Sequence, residues 1–428
     1  MSPVEANKNR WVIALSAIAI HLSIGSIYAY SIYQIPLNEA QGWSTSSVTL
    51  AFSIAVFVLG ITAAFLGKYV EAYGPRLSGL AAAVLYGLGM IGSGVSVQLG
   101  SLPMFLVTFG VIGGMGIGLG YISPIGTLVE WFPDRRGMAT GLAVMGFGAG
   151  ALVTGPLGNY LIQNFGVAVA FYVLGALYFV LMSLGASYLA KPKDDWLPEG
   201  MRDEENAQEK ARSALPGLGN LTAAEARTSP RFWMIWFIIF VNVSAGIMLL
   251  AFASPMLQQI GGATATTAAF ITGYIGIFNG GGRIFWSTLS DYIGRTITYG
   301  VFMIIQIAAF LLMPQLGGVW ILAAAIFLVI TCYGGGFACL PAYLSDLFGT
   351  KEVSAIHGYA LTAWSVAGVA GPQLASIVLE STGNYTNALY VMNVVLVIGL
   401  AAVLILRWRI GKVQQSDRDQ TAAAATTN

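Results

Sequence analysis

Long apolar runs separated by short polar breaks dominate the chain. Runs near residues 11–36, 46–70, 77–98, 103–131, 137–162, 167–190, 230–257, 266–290, 296–314, 318–346, 353–380 and 386–408 each approach or exceed the roughly 20 residues needed to cross a bilayer as a helix. The pattern predicts an all-α membrane protein of twelve transmembrane helices in two six-helix bundles. The first run follows Lys8 and Arg10, but at about 24 residues it outlasts the ~7–15-residue apolar core of a secretory leader. It is therefore read as the first span. One break is long and polar, residues 191–229, and it divides six runs from six. The expected organisation is an N-terminal bundle at 1–190, a cytoplasmic linker at 191–229, a C-terminal bundle at 230–410 and a disordered cytoplasmic tail at 411–428.

Composition narrows the class. Hydrophobic residues make up 56% of the 428 and charged residues 9%, against about 25% charged in soluble domains. The lipid bilayer is thus the first partner, and a net charge of +1 provides no patch for nucleic acid. Cys332 and Cys339 share one apolar run and read as small packing residues. Neither a nucleophile–base pair nor a metal cluster is legible, so no enzyme, metal or cofactor is expected. Of the 20 lysines and arginines, all but Arg283 fall in or beside one set of alternate loops and the two termini. The positive-inside rule makes that side cytoplasmic, with both termini there, in the cell (inner) membrane.

The halves repeat. "GKYVEAYGPR" after the second run matches "STLSDYIGRT" after the eighth, placing Glu71 over Asp291 and Gly74 over Gly294, each 220 positions apart. "TGPLG" in the fifth run matches "AGPQL" in the eleventh, and "WFPDRRGMATG" matches "LFGTKEVSAIHG". Internal duplication of this kind points to a secondary transporter with its site near midplane, between the repeats. These paired motifs resemble the major facilitator superfamily across the whole chain. The carboxylates and basic groups of the short loops, Glu71 with Arg76, Asp291 with Arg295 and Asp134 with Arg136, fit two roles: latches for an alternating-access state, or simple helix caps.

Arg283, in "FNGGGRIFWSTLSD", lies eight residues before the helix end at Asp291, about 12 Å deep in a ~30 Å core. An arginine there costs at least ~2.5–3.5 kcal/mol on insertion scales and needs a partner. All nineteen acidic residues sit in loops or at helix ends. Backbone carbonyls and tyrosine hydroxyls are possible partners; an anionic substrate is the favoured one, since the guanidinium fork suits a carboxylate. A single deep cation suits a monoanion. Asn279, four residues earlier, shares its helix face and is placed to orient the guanidinium or bind a substrate hydroxyl. The intervening glycines lie inside a span and form no nucleotide loop. Tyr28, Tyr121, Tyr333 and Phe337 are candidate pocket residues; Tyr121 and Phe337 precede Pro124 and Pro341 in corresponding helices. His21 and His357 are the only histidines; each reads first as a satisfied structural histidine and second as a candidate for carrying a proton, His357 the better of the two because its helix presents a glycine-rich face.

"RWV", "EWFPDRRG" and "NGGGRIFWSTLSDYIGR" resemble, more closely, the oxalate/formate antiporter and the monocarboxylate transporter family. The resemblance implies that Arg283 binds the substrate carboxylate. It also implies a cavity of Tyr28, Tyr121, Phe147, Tyr333 and Phe337, and a small monocarboxylate such as lactate or pyruvate carried with a proton. Trp364 stands where the oxalate carrier has a lysine, which argues against a dicarboxylate. Asn279 stands where animal monocarboxylate carriers have an aspartate, so the usual titrating group is missing. Two alternatives stand beside symport: anion exchange and, from another class, a non-transporting membrane sensor.

Overall fold

The computed structural model describes residues 8–132, 136–192, 221–349 and 352–426, and every regular element in them is helical. Asn9 caps the first helix, α1 (Arg10–Ile24), which tightens into a nine-residue 3-10 stretch (Gly25–Tyr33) before α2 (Gln34–Gln41). A 3-10 run of that length is unusual. Its glycine allows a close approach: a Cβ on Gly25 would lie 1.8 Å from the Phe147 carbonyl oxygen. The N-terminal half continues with α3 (Thr45–Tyr73), α4 (Pro75–Gln98), α5 (Leu102–Phe105), a π-helical stretch (Leu106–Gly113), α6 (Gly114–Trp131), α7 (Arg136–Phe165) and α8 (Val167–Tyr188). The C-terminal half holds α9 (Ala223–Thr228), α10 (Pro230–Gln259), α11 (Ala265–Ile293), α12 (Arg295–Leu312), α13 (Val319–Phe348), α14 (Val353–Ala360), α15 (Thr362–Thr382) and α16 (Tyr385–Thr426).

Ten helical spans among the described residues are long and apolar enough to cross a membrane. Outside that set are α7, whose first side chains fall beyond the description, and α11, at 29 residues long enough but polar through Asn279 and Arg283.

The repeat inferred from the sequence is present in the backbone. Both α3 and α11 are 29 residues long. Ser44 accepts the Ser47 N–H at one N-terminus, and Thr264, 220 positions on, accepts the Thr267 N–H at the other. Both helices end on a glycine with positive φ, Gly74 at 82° and Gly294 at 89°, a conformation that disfavours other residues. The following helix then starts at once with Pro75 or Arg295.

The halves meet along α7 on α11 and α3 on α15. At the first contact the backbones touch: a Cβ on Gly276 would sit 1.7 Å from the Gly148 oxygen. Hydrogen bonds join the halves at the end opposite the lysine- and arginine-bearing loops. Glu380 accepts the Ser46 N–H (2.6 Å), Asn159 donates to Thr266 (3.3 Å), and the Ser254 N–H donates to Ser31 Oγ (3.2 Å).

Two regions differ from the sequence-based reading. The stretch 411–426, expected as a disordered tail, continues α16 as helix. It is rich in alanine and glutamine, with no proline and no glycine after Gly411, so nothing in it stops the helix. The helix expected over 353–380 is interrupted at Leu361, between α14 and α15. Most of the linker lies outside the described residues. Its end forms α9, closed by a capping box between Thr222 and Glu225. It is fastened to the C-terminal half by Ala223 N–H to Glu352 (2.8 Å) and Leu221 N–H to the Phe348 carbonyl (2.8 Å).

Candidate substrate site

Helix α11 presents Asn279 and Arg283 on one face, as the four-residue spacing requires. Arg283 Nε donates to Asn279 Oδ1 at 3.1 Å. That bond fixes the inner nitrogen of the guanidinium and leaves its two terminal nitrogens to point elsewhere. The guanidinium carbon lies 5.4 Å from the Phe337 ring centre, a cation–π contact. Among the described residues no carboxylate pairs with Arg283, which is half-buried. Its charge is held by an amide and an aromatic face.

The aromatic residues singled out in the sequence converge here from both halves. Tyr28 packs edge-on against Phe147 (4.8 Å) and Tyr333 (6.5 Å). Tyr121 meets Phe147 (5.8 Å) and Trp364 (6.3 Å), and Phe337 meets Tyr333 and Trp364, both at 5.3 Å. Tyr121 and Phe337, the two residues placed before prolines, thus flank one indole from opposite halves. Tyr28, Phe147, Tyr333 and Trp364, with apolar walls from Phe52, Val56, Ile247 and Leu250, enclose a cavity of about 10 Å³. That is space for about one water. In this conformation the site is contracted.

Three polar atoms of this neighbourhood are buried without a well-aligned hydrogen-bond partner: Asn279 Nδ2, the Tyr333 hydroxyl and Trp364 Nε1. The Tyr28 hydroxyl lies beside Asn279 and Tyr333, in the field of Arg283, and the Tyr333 hydroxyl lies beside the Trp364 indole. Buried polar groups are ordinarily satisfied. These polar groups lie within reach of one another, beside a cation that no carboxylate among the described residues pairs with.

The histidines part company. His21 is fully buried, with Nδ1 on the Ala17 carbonyl (3.1 Å), Nε2 unpartnered, and its ring edge-on to Tyr121 (5.9 Å) and Phe147 (6.5 Å). His357, the stronger candidate from sequence, sits on α14 beyond the break at Leu361 and outside the cavity lining.

At the basic end, Arg295 bonds Asp291, Ser290 and the Ser287 carbonyl (3.3 Å), and its Nε stands 3.8 Å from Asp346. It is 8% exposed. In the first-half turn the matching position is Pro75 and the basic residue beside it, Arg76, is exposed, while the side chains of Glu71 and Arg136, and Asp134 altogether, lie outside the described residues. Sequence reasoning missed the apolar walls Phe52, Val56, Ile247 and Leu250, because a residue facing a cavity has the same composition signal as one facing lipid.

The chain's relatives agree with this architecture. It is 26% identical over 409 residues to the oxalate:formate antiporter of Oxalobacter formigenes, covering 94% of this chain and 93% of that one. It is 21% identical over 463 residues to monocarboxylate transporter 14 of Mus musculus (92% and 89% covered), and 25% identical over 335 residues to apicoplast pyruvate carrier 1 of Toxoplasma gondii (65% and 59% covered). Among solved structures, a bacterial homologue of the human lysosomal transporter Spinster, inward-facing and unoccupied, superposes with a TM-score of 0.69 over 97% of this chain and 99% of that one, at 15% identity. These relatives are carriers rather than enzymes. The sequence profile of the Major Facilitator Superfamily matches residues 14–372 and 237–427, and the chain belongs to that family as an integral membrane transporter.

Proposed function

We propose that the chain is a twelve-helix secondary active transporter of small monocarboxylates, lactate- or pyruvate-like, coupled to a proton and working by alternating access. It sits in the cell membrane, with both termini on the cytoplasmic side. The single observation that carries this reading is Arg283, a cation with no carboxylate partner among the described residues, set beside an aromatic cavity built by both halves. The substrate carboxylate is the missing counter-ion, received by the terminal guanidinium nitrogens. One charge takes one carboxylate.

Burial indicates the approach. Tyr28, Phe147 and Tyr333 are buried, whereas Tyr121, Phe337 and Arg283 are half-exposed, and the hydrogen bonds between halves lie at the end away from the basic loops. Substrate therefore reaches Arg283 from the basic side in this conformation. Rolling of the halves about the Gly148–Gly276 contact would expose the other side.

Purified protein in vesicles loaded without substrate should accumulate labelled lactate or pyruvate when an inward proton gradient is imposed. Uptake unmoved by the gradient would sink the symport reading. Exchange of one anion for another is the second reading, favoured by Asn279, which puts a neutral amide beside Arg283. Uptake that requires substrate inside the vesicle would establish it. Saturable binding without movement of label would point instead to a sensor.

A further inference from the structure

Helices α10 and α16 pack along each other. Where α10 starts and the apolar run of α16 ends, a groove of about 560 Å³ opens between them, lined by Ser229, Pro230, Arg231, Arg409, Lys412 and Val413. Lys412 and Val413 stand three and four residues after Arg409, so the three share one face of α16. Half-buried Arg231 reaches the same groove from α10. Among the described residues no carboxylate pairs with any of these three cations. Arg231 has the Phe348 ring at 5.8 Å and Lys412 the Trp408 ring at 4.0 Å, contacts that leave both charges in place. Like charges at three-residue spacing repel, and the N-terminus of the thirty-residue α10 adds positive potential. A groove so lined attracts a compact anion.

The membrane side of the groove is apolar. Ile405 lies one turn inward from Arg409, and Trp408 one turn inward from Lys412, on the same faces of α16. Both are exposed, as is Trp233 on α10. Bare aliphatic and indole surface directly beneath a cluster of cations matches the boundary between acyl chains and head groups. We infer that this groove holds the phosphate of an anionic phospholipid. Arg231 and Arg409 fork onto its oxygens, Lys412 supplies a point charge, and the acyl chains lie along Ile405 and Trp408. A dissolved phosphate offers the same oxygens but has no use for the apolar flank. The site is separate from Arg283 and independent of what that residue receives.

Full-length protein in a neutral detergent, titrated with phosphatidylglycerol or phosphatidylcholine of matched chains, tests this, with bound lipid counted by native mass spectrometry. Phosphatidylglycerol should bind at least ~tenfold more tightly than phosphatidylcholine. Arg409→Gln and Lys412→Gln should each weaken it by about fivefold, and together by about twenty-five-fold. Both side chains are exposed, so these variants should melt like wild type in phosphatidylcholine. Arg76→Gln, which removes an exposed arginine outside the groove, should change binding by less than about twofold. Equal losses from Arg76→Gln and Arg409→Gln would reveal a general attraction of the basic surface and overturn the site. So would equal binding of the two lipids. Displacement of phosphatidylglycerol by inorganic phosphate, but not by chloride of the same ionic strength, would assign the groove to a soluble phosphate and overturn the lipid.

Discussion

The turn after α3 and the turn after α11 are the same piece of backbone with different side-chain fates. Each follows a 29-residue helix with a hydroxyl N-cap, and each pivots on a positive-φ glycine, Gly74 or Gly294. Yet Arg295 is sealed among Asp291, Ser290 and Asp346, while Arg76 projects into solvent. The same division runs deeper in the molecule. In the N-terminal half the hydroxyls close on one another: Ser26 with Tyr86, Thr154 with Tyr178 (2.6 Å), and Tyr30 on the Val48 carbonyl (2.6 Å). The C-terminal half closes hydroxyls too, Thr296 with Tyr343 (2.7 Å) and Tyr299 on the Gly336 carbonyl (2.5 Å), but it alone sets an arginine, Arg283, beside the aromatic cluster. The backbone devices are thus shared while the side chains differ: both halves supply rings and walls to the cavity, and the C-terminal half adds the charge of Arg283.

The sharpest break of that comparison is removal of the charge. Arg283→Ala should reduce uptake by at least ~30-fold, since truncating one member of a buried charged contact costs about 2–5 kcal/mol. A variant that transports at wild-type rates would return the binding role to the N-terminal half. Arg283→Lys should also fail badly, because an ammonium cannot hold Asn279 and still present two parallel donors to a carboxylate. Initial uptake rates in vesicles measure both.

Next comes the pair of turns. Arg295→Ala strips a buried guanidinium from two carboxylates and a serine. It should lower stability by about 1–3 kcal/mol, at the lower end because the Asp291 side chain is 47% exposed. Arg76→Ala, in the corresponding turn one position past the matching Pro75, should change stability by less than about 0.5 kcal/mol. Parallel thermal melts in detergent decide this, and equal shifts would erase the distinction. Phe147→Leu should weaken binding more modestly, by about 0.5–1.5 kcal/mol, through loss of its edge contacts with Tyr28 and Tyr121. A binding isotherm for the labelled acid reads that change.

The smallest effect is expected at the seal between halves. Glu380→Gln keeps an acceptor for the Ser46 N–H but removes the negative charge from the N-terminus of α3, worth about 0.3–1 kcal/mol. A cysteine placed near Ser46 should then react a few-fold faster with a membrane-impermeant reagent. An unchanged rate would show that the carboxylate contributes nothing to closure.

Much of this was legible in the sequence, for reasons that can be named. The spans follow from apolar length, and the repeat follows from local backbone needs: a glycine at positive φ and a hydroxyl cap leave the same letters wherever they recur. Arg283 with Asn279 was legible because helical spacing alone brings them together. The 3-10 stretch at Gly25–Tyr33 and the interruption at Leu361 were not, because both depend on what packs alongside. The contact of His21 with Tyr121 was likewise hidden, since it depends on how α1 packs against α6. Ile247 and Leu250 gave no sign at all, since facing a cavity and facing lipid call for the same side chains.

The tether of α9 has a practical corollary. Leu221 and Ala223 bind the connecting segment to the C-terminal half through Phe348 and Glu352. A chain cut between residues 193 and 220 would leave that short helix with its own bundle, so co-expressed fragments divided there should reassemble with their docking contacts intact. A break placed after Thr228 would instead strand α9 on the wrong piece, and a split reporter built on that boundary should assemble less well.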